Sequence, residues 1–354
     1  MKNLVLTGGG SAGHAVPNTA LIPALSDKYN LSYIGTDGIE KRIVAPYKIP
    51  YCTIKCAKFV RGFSPSNLSI PFRFYRSVKE ARRGLKALKA DGVFSKGGYV
   101  ALPVVFAAKS LGIPVLSHES DLTPGLANRL IAEKCRAVLT NFPETAKKLK
   151  NGKYTGAPIR EELFCGDRRA ALAKYGFSGQ KPVLLVLGGG SGSKAVNQVL
   201  RAALFKLTET FDILHLCGRG NAVQSSVRGY VQREYEEDMP SAYAASDLAL
   251  SRSGAGAAFE LISLKKPTLF IPLENRRTRG DQAENADYFQ TRGLAEVLHE
   301  KDMTPGSLVR SLSALLENTE LKNALAACPI ARGNAAVLDE IDKMMNADNI
   351  FRRK

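Results

Sequence analysis

Leu4-Val5-Leu6-Thr7-Gly8-Gly9-Gly10-Ser11-Ala12-Gly13-His14 and, far along the chain, Val183-Leu184-Leu185-Val186-Leu187-Gly188-Gly189-Gly190-Ser191-Gly192-Ser193 share one pattern. Each is a short apolar run that breaks into glycines and then resumes with helical spacing. A run of about five apolar residues bounded by turn residues reads as a buried strand. Glycines after it let the chain turn sharply and bring backbone N–H groups close to an anion, which the following helix N-terminus favours. Strand, glycine loop, helix therefore occurs twice, and each occurrence opens a longer series.

In the first series Leu31–Ile34, Tyr51–Ile54, Gly92–Ser95, Pro114–Ser117 and Ala137–Thr140 read as strands. Helical patterns run from about Phe72 to Leu88 and begin near Tyr99 and Thr123. In the second series the strands are Pro182–Leu187, Phe211–Cys217, Leu248–Ser251, Pro267–Ile271 and Ala295–Leu298, and residues from about Pro305 to Met345 read as helical. Strands alternating with helices imply parallel sheets with right-handed crossovers. Tyr154-Thr155-Gly156-Ala157-Pro158-Ile159-Arg160 interrupts the alternation, so the boundary is set between 1–157 and 158–354. The expected fold class is α/β, two Rossmann-like domains whose sheets face across a cleft, with ligands at the strand C-termini.

The chain has 354 residues and a formal charge of +17. Residues 1–157 hold 24 Lys/Arg against 9 Asp/Glu, whereas 158–354 hold 26 against 24. One strongly basic half predicts an anionic surface as partner, nucleic acid or acidic lipid. The segment 58–90 concentrates the excess: nine cations, one acid (Glu80), and Phe59, Phe63, Ile70, Phe72, Phe74 and Tyr75 among them. Six scattered cysteines with no C-x-x-C pair read as free buried thiols, and no metal site is expected. No run is long and apolar enough for a membrane-spanning helix. The apolar N-terminus is too short for a signal peptide, so a cytoplasmic protein is expected.

His14 follows the first loop directly. A histidine there projects into the cleft, and its ordinary pKa of about 6.5 suits a general base. His118 follows a strand in Ser117-His118-Glu119-Ser120-Asp121, where a structural role is as natural as a catalytic one. His215 reads as a core residue and His299 as a surface one. Gly8, Gly10 and Gly13 fit G-x-G-x-x-G, with Asp37 near the place of a ribose-binding acid, so a dinucleotide enzyme stays open on this loop alone. The absence of Gly-Lys-Ser/Thr after either loop excludes a P-loop. In the second half, Ser251-Arg252-Ser253-Gly254-Ala255-Gly256-Ala257-Ala258-Phe259-Glu260 offers a helix N-terminus of small residues. Glu260, one turn in, can accept ribose hydroxyls. Gln282 and Asn285 open a further helix.

Taken in order, these segments resemble a family. Gly8–His14 is similar to its G-G-T-x-G-H signature, and His118–Asp121 with Pro124-Gly125-Leu126-Ala127-Asn128 to its H-E-x-[ND] segment. Gly189–Ser193, Ser251–Ala255 with Glu260, and Asp281–Ala286 complete the set. The family is that of the UDP-N-acetylglucosamine transferases acting on undecaprenyl-diphospho-muramoyl-pentapeptide, the MurG family, and the resemblance spans essentially the whole chain. It implies a GT-B fold, UDP-N-acetylglucosamine and the lipid-linked acceptor as partners, and inverting transfer without a metal or other cofactor. It implies a substrate site of Ser11, Ala12, Gly13, Asp121, Asn128, Arg160, Ser191, Ala255, Gly256, Ala257, Ala258, Phe259, Glu260 and Gln282, beside which His14 is the candidate base. A backbone contact to uracil is implied around 235–239. Ser11-Ala12 replaces the commoner Thr-Gly, and Asp121 stands where many members have Asn. The lipid acceptor gives the basic segment 58–90 a role on an anionic membrane at its cytoplasmic face, with no nucleic acid partner. A UDP-sugar epimerase, a dehydrogenase and a nucleic-acid binder are the competing classes.

Overall fold

A computed structural model of the chain describes residues 1–56, 70–274, 280–329 and 332–347. It divides into two compact units, Met1–Arg160 with the residues from Arg332 on, and Glu161–Ala331.

The first unit carries strands β1 (Asn3–Thr7), β2 (Asn30–Gly35), β3 (Tyr51–Thr53), β4 (Gly92–Ser95), β5 (Val115–Glu119), β6 (Ala137–Thr140) and β7 (Gly152–Tyr154). Its helices are α1 (Ala12–Thr19), α2 (Ile22–Ser26), α3 (Ile39–Val44), α4 (Ile70–Ala87), α5 (Ala101–Ser110), α6 (Leu126–Ile131) and α7 (Pro143–Lys148). The sheet order is β3-β2-β1-β4-β5-β6-β7, and every pairing is parallel. Successive residues of a strand point to opposite faces. Leu4 and Leu6 therefore enter one core with Leu21, Leu25 and Tyr33, while Val5 enters the other with Val93, Val104 and Val138. A parallel sheet buried on both faces needs such unbroken apolar strands.

The second unit repeats the plan. Its strands are β8 (Val183–Leu187), β9 (Asp212–Leu216), β10 (Tyr230–Arg233), β11 (Leu248–Ser251), β12 (Thr268–Phe270) and β13 (Glu296–Val297), in the order β10-β9-β8-β11-β12-β13, again all parallel. Helices α8 (Arg168–Tyr175), α9 (Lys194–Ala202), α10 (Leu204–Thr210), α11 (Met239–Ala245), α12 (Ala255–Ser263), α13 (Asp281–Gln290), α14 (Pro305–Glu317) and α15 (Thr319–Ala327) accompany them. In both sheets the order reverses at the first strand of the series, between β1 and β4 and between β8 and β11. Connections leave these neighbours in opposite directions and open a crevice at their carboxyl ends.

The division corrects the expected boundary in one respect. Helix α16 (Asn334–Asn346) belongs to the first unit, although the sequence reading assigned everything after 157 to the second. Its apolar stripe Val337, Ile341, Met344 and Met345 joins the core around Leu4 and Leu6. The Asn334 amide accepts from Ile159 N at 2.8 Å and donates to Ile159 O at 2.8 Å, as a strand neighbour would. Strands β7 and β10 were also missed. Both are short edge strands without the apolar run that marks a central strand.

Helix α4 runs where the spacing predicts, and packing sorts its aromatic residues. Phe74 sits edge-on to Phe106 at 5.4 Å, whereas Phe72 and Tyr75 are 80% and 68% exposed beside Arg73 and Arg76. Lys58, Phe59, Arg61 and Phe63 lie outside the described residues. Among the described residues no helix is long and apolar enough to cross a membrane, and no group of His, Cys, Asp or Glu is arranged for a metal ion. The six cysteines are free. Cys135 and Cys217 are buried, but Cys165 is exposed, contrary to the uniform burial expected.

Polar ties dock α16 as well. Lys28 Nζ lies 2.6 Å from Asp342 Oδ2, Tyr29 donates to Asp342 Oδ1 at 2.7 Å, and Lys153 Nζ lies 2.7 Å from Glu340 Oε2. Burial alone would raise both carboxyls. The bonds from Lys28 and Tyr29 to Asp342, and from Lys153 and Lys343 to Glu340, outweigh it and hold both below their ordinary values. A depressed carboxylate stabilises fully above its unfolded value of about 4 and loses that contribution as pH falls through the lower folded value. Hydrogen exchange across 334–346, corrected for intrinsic rates, is expected to be slow at pH 7 and clearly faster near pH 3. Asp342→Asn should show part of that loosening already at pH 7; equal protection at both pH values would assign docking to the apolar stripe alone.

Candidate active site

In the first unit the loops after β1 and β4 flank the crevice. Gly8 and Gly10 have φ of 154° and 85°, conformations that favour glycine. His14 lies in the first turn of α1, half-buried, with Nδ1 3.0 Å from the Lys96 carbonyl oxygen. An oxygen acceptor there requires the proton on Nδ1, so in the neutral ring Nε2 carries the lone pair, the form a base needs. The ring is clamped on its other side. A Cβ on Gly98, whose φ is 77°, would meet His14 Cδ2 at 2.9 Å and Gly9 O at 2.4 Å. Lys96-Gly97-Gly98 thus shapes the histidine's seat, and the sequence reading had not singled it out. Two glycines directly after a strand at the reversal point were the available signal.

The first glycine loop is not a dinucleotide cradle. Gly10 N–H donates to Glu40 Oε2 at 3.2 Å, and Thr36 N–H donates to Glu40 Oε1 at 2.9 Å. Glu40 is completely buried, and a Cβ on Gly9 would lie 2.5 Å from its carboxyl carbon. A pyrophosphate approaching that N–H would meet an internal carboxylate. Asp37, the expected ribose acid of a dinucleotide fold, instead pairs with Lys41 at 2.7 Å on the surface. Ser11, Ala12 and Gly13 form the outer rim: Ser11 and Gly13 are exposed, Ala12 is half-buried, and Ser11 O accepts from His14 N.

Strand β5 runs two residues farther than expected, which draws His118 and Glu119 into the sheet. His118 is buried, with Nε2 3.1 Å from Gly156 O and Nδ1 2.6 Å from Lys96 Nζ. Burial, and then the Lys96 charge, push its pKa well below the ordinary value. It is an internal imidazole held between the Gly156 carbonyl and Lys96, which supports the structural reading. Glu119 accepts from the N–H groups of Ser120, Asp121 and Gly125 and from Asn128 Nδ2. Asn128 is 3% exposed and also binds Ser117 Oγ and His118 O, so its amide holds this turn in shape. Asp121 sits half-buried at the turn's tip, and Arg160, half-buried, ends the continuous part of the first unit.

In the second unit four loops meet at the carboxyl edge. Gly192, with φ 73°, packs so closely that a Cβ would lie 2.0 Å from Cys217 O. Ser191 is exposed beside it. Ser193 caps α9 and accepts from Val196 N. Arg252, quoted within its motif but given no role there, is the hub. Its guanidinium donates to Ser193 Oγ at 2.7 Å, to Ile271 O at 3.1 Å and to Pro272 O at 3.0 Å, and pairs with Glu300 at 2.6 Å. Gln282 accepts from Leu273 N at 3.0 Å, while its carbonyl accepts from Ser253 Oγ and the Ser253 carbonyl accepts from Asn285. Ala255, Gly256 and Ala257 form the first turn of α12, whose N–H groups have no intrahelical acceptor. Ala258 and Phe259 are core residues, Phe259 set edge-on to Phe289 at 5.4 Å, so their side chains belong to the core. Glu260 follows one turn in, where Tyr243 donates to Oε2 at 2.8 Å and fixes the carboxylate. His215 is held between Tyr230 and Asn197, and burial pushes its pKa to about 3, as a core residue requires. His299 pairs with Glu274 and is partly exposed.

Residues 4–140 match the glycosyltransferase family 28 N-terminal domain and 183–341 its C-terminal domain. A protein of Clostridium kluyveri, described as UDP-N-acetylglucosamine–N-acetylmuramyl-(pentapeptide) pyrophosphoryl-undecaprenol N-acetylglucosamine transferase, is 44% identical over 97% of this chain and 99% of its own length. A Lachnospira eligens protein of the same description is 44% identical over 98% of each chain. The crystal structure of Acinetobacter baumannii MurG aligns with TM-score 0.74 at 26% identity, covering 97% of this chain and all of that one. A UDP-GlcNAc 2-epimerase from Neisseria meningitidis aligns with TM-score 0.70 at 18% identity over 98% and 100% of the two chains, a likeness of fold alone. The chain, with two doubly wound parallel units of GT-B type, belongs to glycosyltransferase family 28 and, within it, to the MurG family of N-acetylglucosamine transferases.

Proposed function

We propose that the chain transfers N-acetylglucosamine from UDP-N-acetylglucosamine to the muramoyl C4 hydroxyl of undecaprenyl-diphospho-muramoyl-pentapeptide, the step from lipid I to lipid II in peptidoglycan synthesis. The observation that carries this reading is the 44% identity, over almost the full length of both chains, with transferases of that description. The geometry supports the following roles. His14 takes the hydroxyl proton on Nε2 while its Nδ1–H stays on the Lys96 carbonyl. The freed oxygen forms the bond to the anomeric carbon, and the bond from that carbon to the phosphate oxygen breaks on the opposite face. The electron pair leaves with UDP, and the configuration inverts. Backbone N–H groups around Ser191 and Ala255–Ala257, at two helix starts, stabilise the leaving diphosphate without a bound cation. Glu260 accepts the ribose hydroxyls, and Gln282 orients the sugar. Ser11, Ala12, Gly13, Asp121 and Arg160 complete the substrate contacts, and Asn128 supports them from beneath.

The acceptor is anchored in a bilayer, so the enzyme works as a peripheral protein on the cytoplasmic face. The exposed side of α4, with Phe72 and Tyr75 among Arg73, Arg76, Arg82 and Arg83, supports docking on anionic lipid. Ordinary nucleic-acid modules are absent from the sequence, and the basic segment is read as lipid-facing.

The central test is UDP release from UDP-N-acetylglucosamine with and without the lipid-linked acceptor. Acceptor-dependent release is expected, and His14→Ala should lower it by about 10²–10⁴-fold while UDP affinity is kept. Near-normal turnover in the folded variant would remove His14 as base. Glu260→Gln weakens a charge-assisted bond worth about 1.5–3 kcal/mol, so calorimetry should show UDP and UDP-sugar binding reduced together by roughly 10–100-fold. Reversing Arg73, Arg76, Arg82 and Arg83 to Glu should abolish sedimentation with anionic vesicles at low salt and leave UDP binding intact. Equal vesicle binding by both proteins would give α4 another purpose.

A further inference from the structure

Among the described residues of the first unit, the steps above leave one buried cation unused. Lys96 directly follows β4 and is 1% exposed. Its N–H donates to Thr7 O at 2.8 Å, its carbonyl accepts from His14 Nδ1, and its ammonium reaches His118 Nδ1 at 2.6 Å and Ser120 Oγ at 2.8 Å. The proton assignment is determined. His118 Nε2 faces the Gly156 carbonyl and must carry the ring hydrogen, so Nδ1 accepts and Lys96 donates. One residue therefore ties together the ends of β1, β4 and β5 and the start of α1.

A side chain that only filled this volume would be apolar. Burying an ammonium against an imidazole and a hydroxyl is costly, and ionisable groups kept in such places cluster at functional sites. Burial pulls the Lys96 pKa down to about 7, against the opposing pull of Glu119 and Asp121. The titratable groups around it are thus His118 from β5, Glu119 and Asp121 from the end of β5 and the turn that follows, and His14 on its carbonyl. The Glu119 oxygens are engaged by the turn itself, and with Asp121 they act on the ammonium as nearby negative charge.

We infer that Lys96 is a positioning residue for the transfer reaction, coupling His14 to the Ser120–Asp121 turn so that base and substrate-binding carboxylate keep one geometry. The inference rests on the proposed reaction for its kinetic test. Lys96→Met keeps length and backbone but removes the donor. The full chain carrying it should melt as a folded protein and bind UDP normally, with kcat/KM for the acceptor lowered by about 10–100-fold, the scale typical of a group that orients a functional side chain. The wild type should show an alkaline limb in its pH profile, from loss of the Lys96 charge, that the variant lacks. Should Lys96→Met fail to fold, Ser120→Ala removes only one partner of the ammonium. It should lower kcat/KM less and shift the same limb. Wild-type kinetics and pH profile in the folded variant overturn the inference. A wild-type chain that transfers nothing to the acceptor strikes the proposed function instead. Histidine ¹⁵N spectra, which need no substrate, then decide: Lys96→Met must change the signals of both His118 and His14, and an unchanged His14 signal overturns the coupling.

Discussion

A parallel strand can be joined to its neighbour only by a crossover, and that constraint organises this protein. Each crossover returns the chain to the same edge, so all strand exits gather at one end of a sheet. Where the strand order reverses, two exits part and leave a crevice. In the first unit this point lies between β1 and β4, and His14 and Lys96 stand on its two sides. In the second it lies between β8 and β11, flanked by the Ser191 loop and by Arg252. The proposed chemistry sits where topology leaves room for it.

The two crevices are furnished differently although their glycine loops look alike in sequence. The first loop has its N–H taken by a buried carboxylate, Glu40. At the second, Arg252 draws the neighbouring loops together from beneath. One loop is therefore closed to phosphate at Gly10 and leads into the turn bearing His14, while the other leads into α9, capped by Ser193. That asymmetry supports the proposed placing of the donor diphosphate on the second unit and of the hydroxyl acceptor on the first. So does the failure of the dinucleotide reading, since Asp37 is spent on Lys41 at the surface.

The basic half shows how packing gives meaning to composition. Nine cations in 58–90 underlie the proposed lipid-facing role, but only the docking of α4 separates Phe74, which packs on Phe106, from Phe72 and Tyr75, which are exposed with the arginines. Helix α16 makes the same point for the domain boundary. Its apolar stripe is visible in the sequence, yet which core receives it depends on the matching stripe of Leu4 and Leu6 and on the Ile159 backbone that Asn334 satisfies.

The sequence by itself determined the elements that rest on local rules. The central strands, the two glycine loops, the helix starts bearing His14 and Glu260, and the core character of His215 follow from residue type and period. So does the family, because its motifs stand in order along the chain. Short edge strands without an apolar run, β7 and β10, escaped the same rules. Only tertiary structure decided the contacts between residues distant in sequence. Lys96 and His118 are 22 positions apart, as are Ser95 and Ser117 beside them, and nothing local to either lysine or histidine predicts a bond. Periodicity reports which face a side chain takes. It does not report what waits on the other side of that face, and at Glu40, Lys96, Asn128 and Arg252 it is the buried partner that fixes what each residue does.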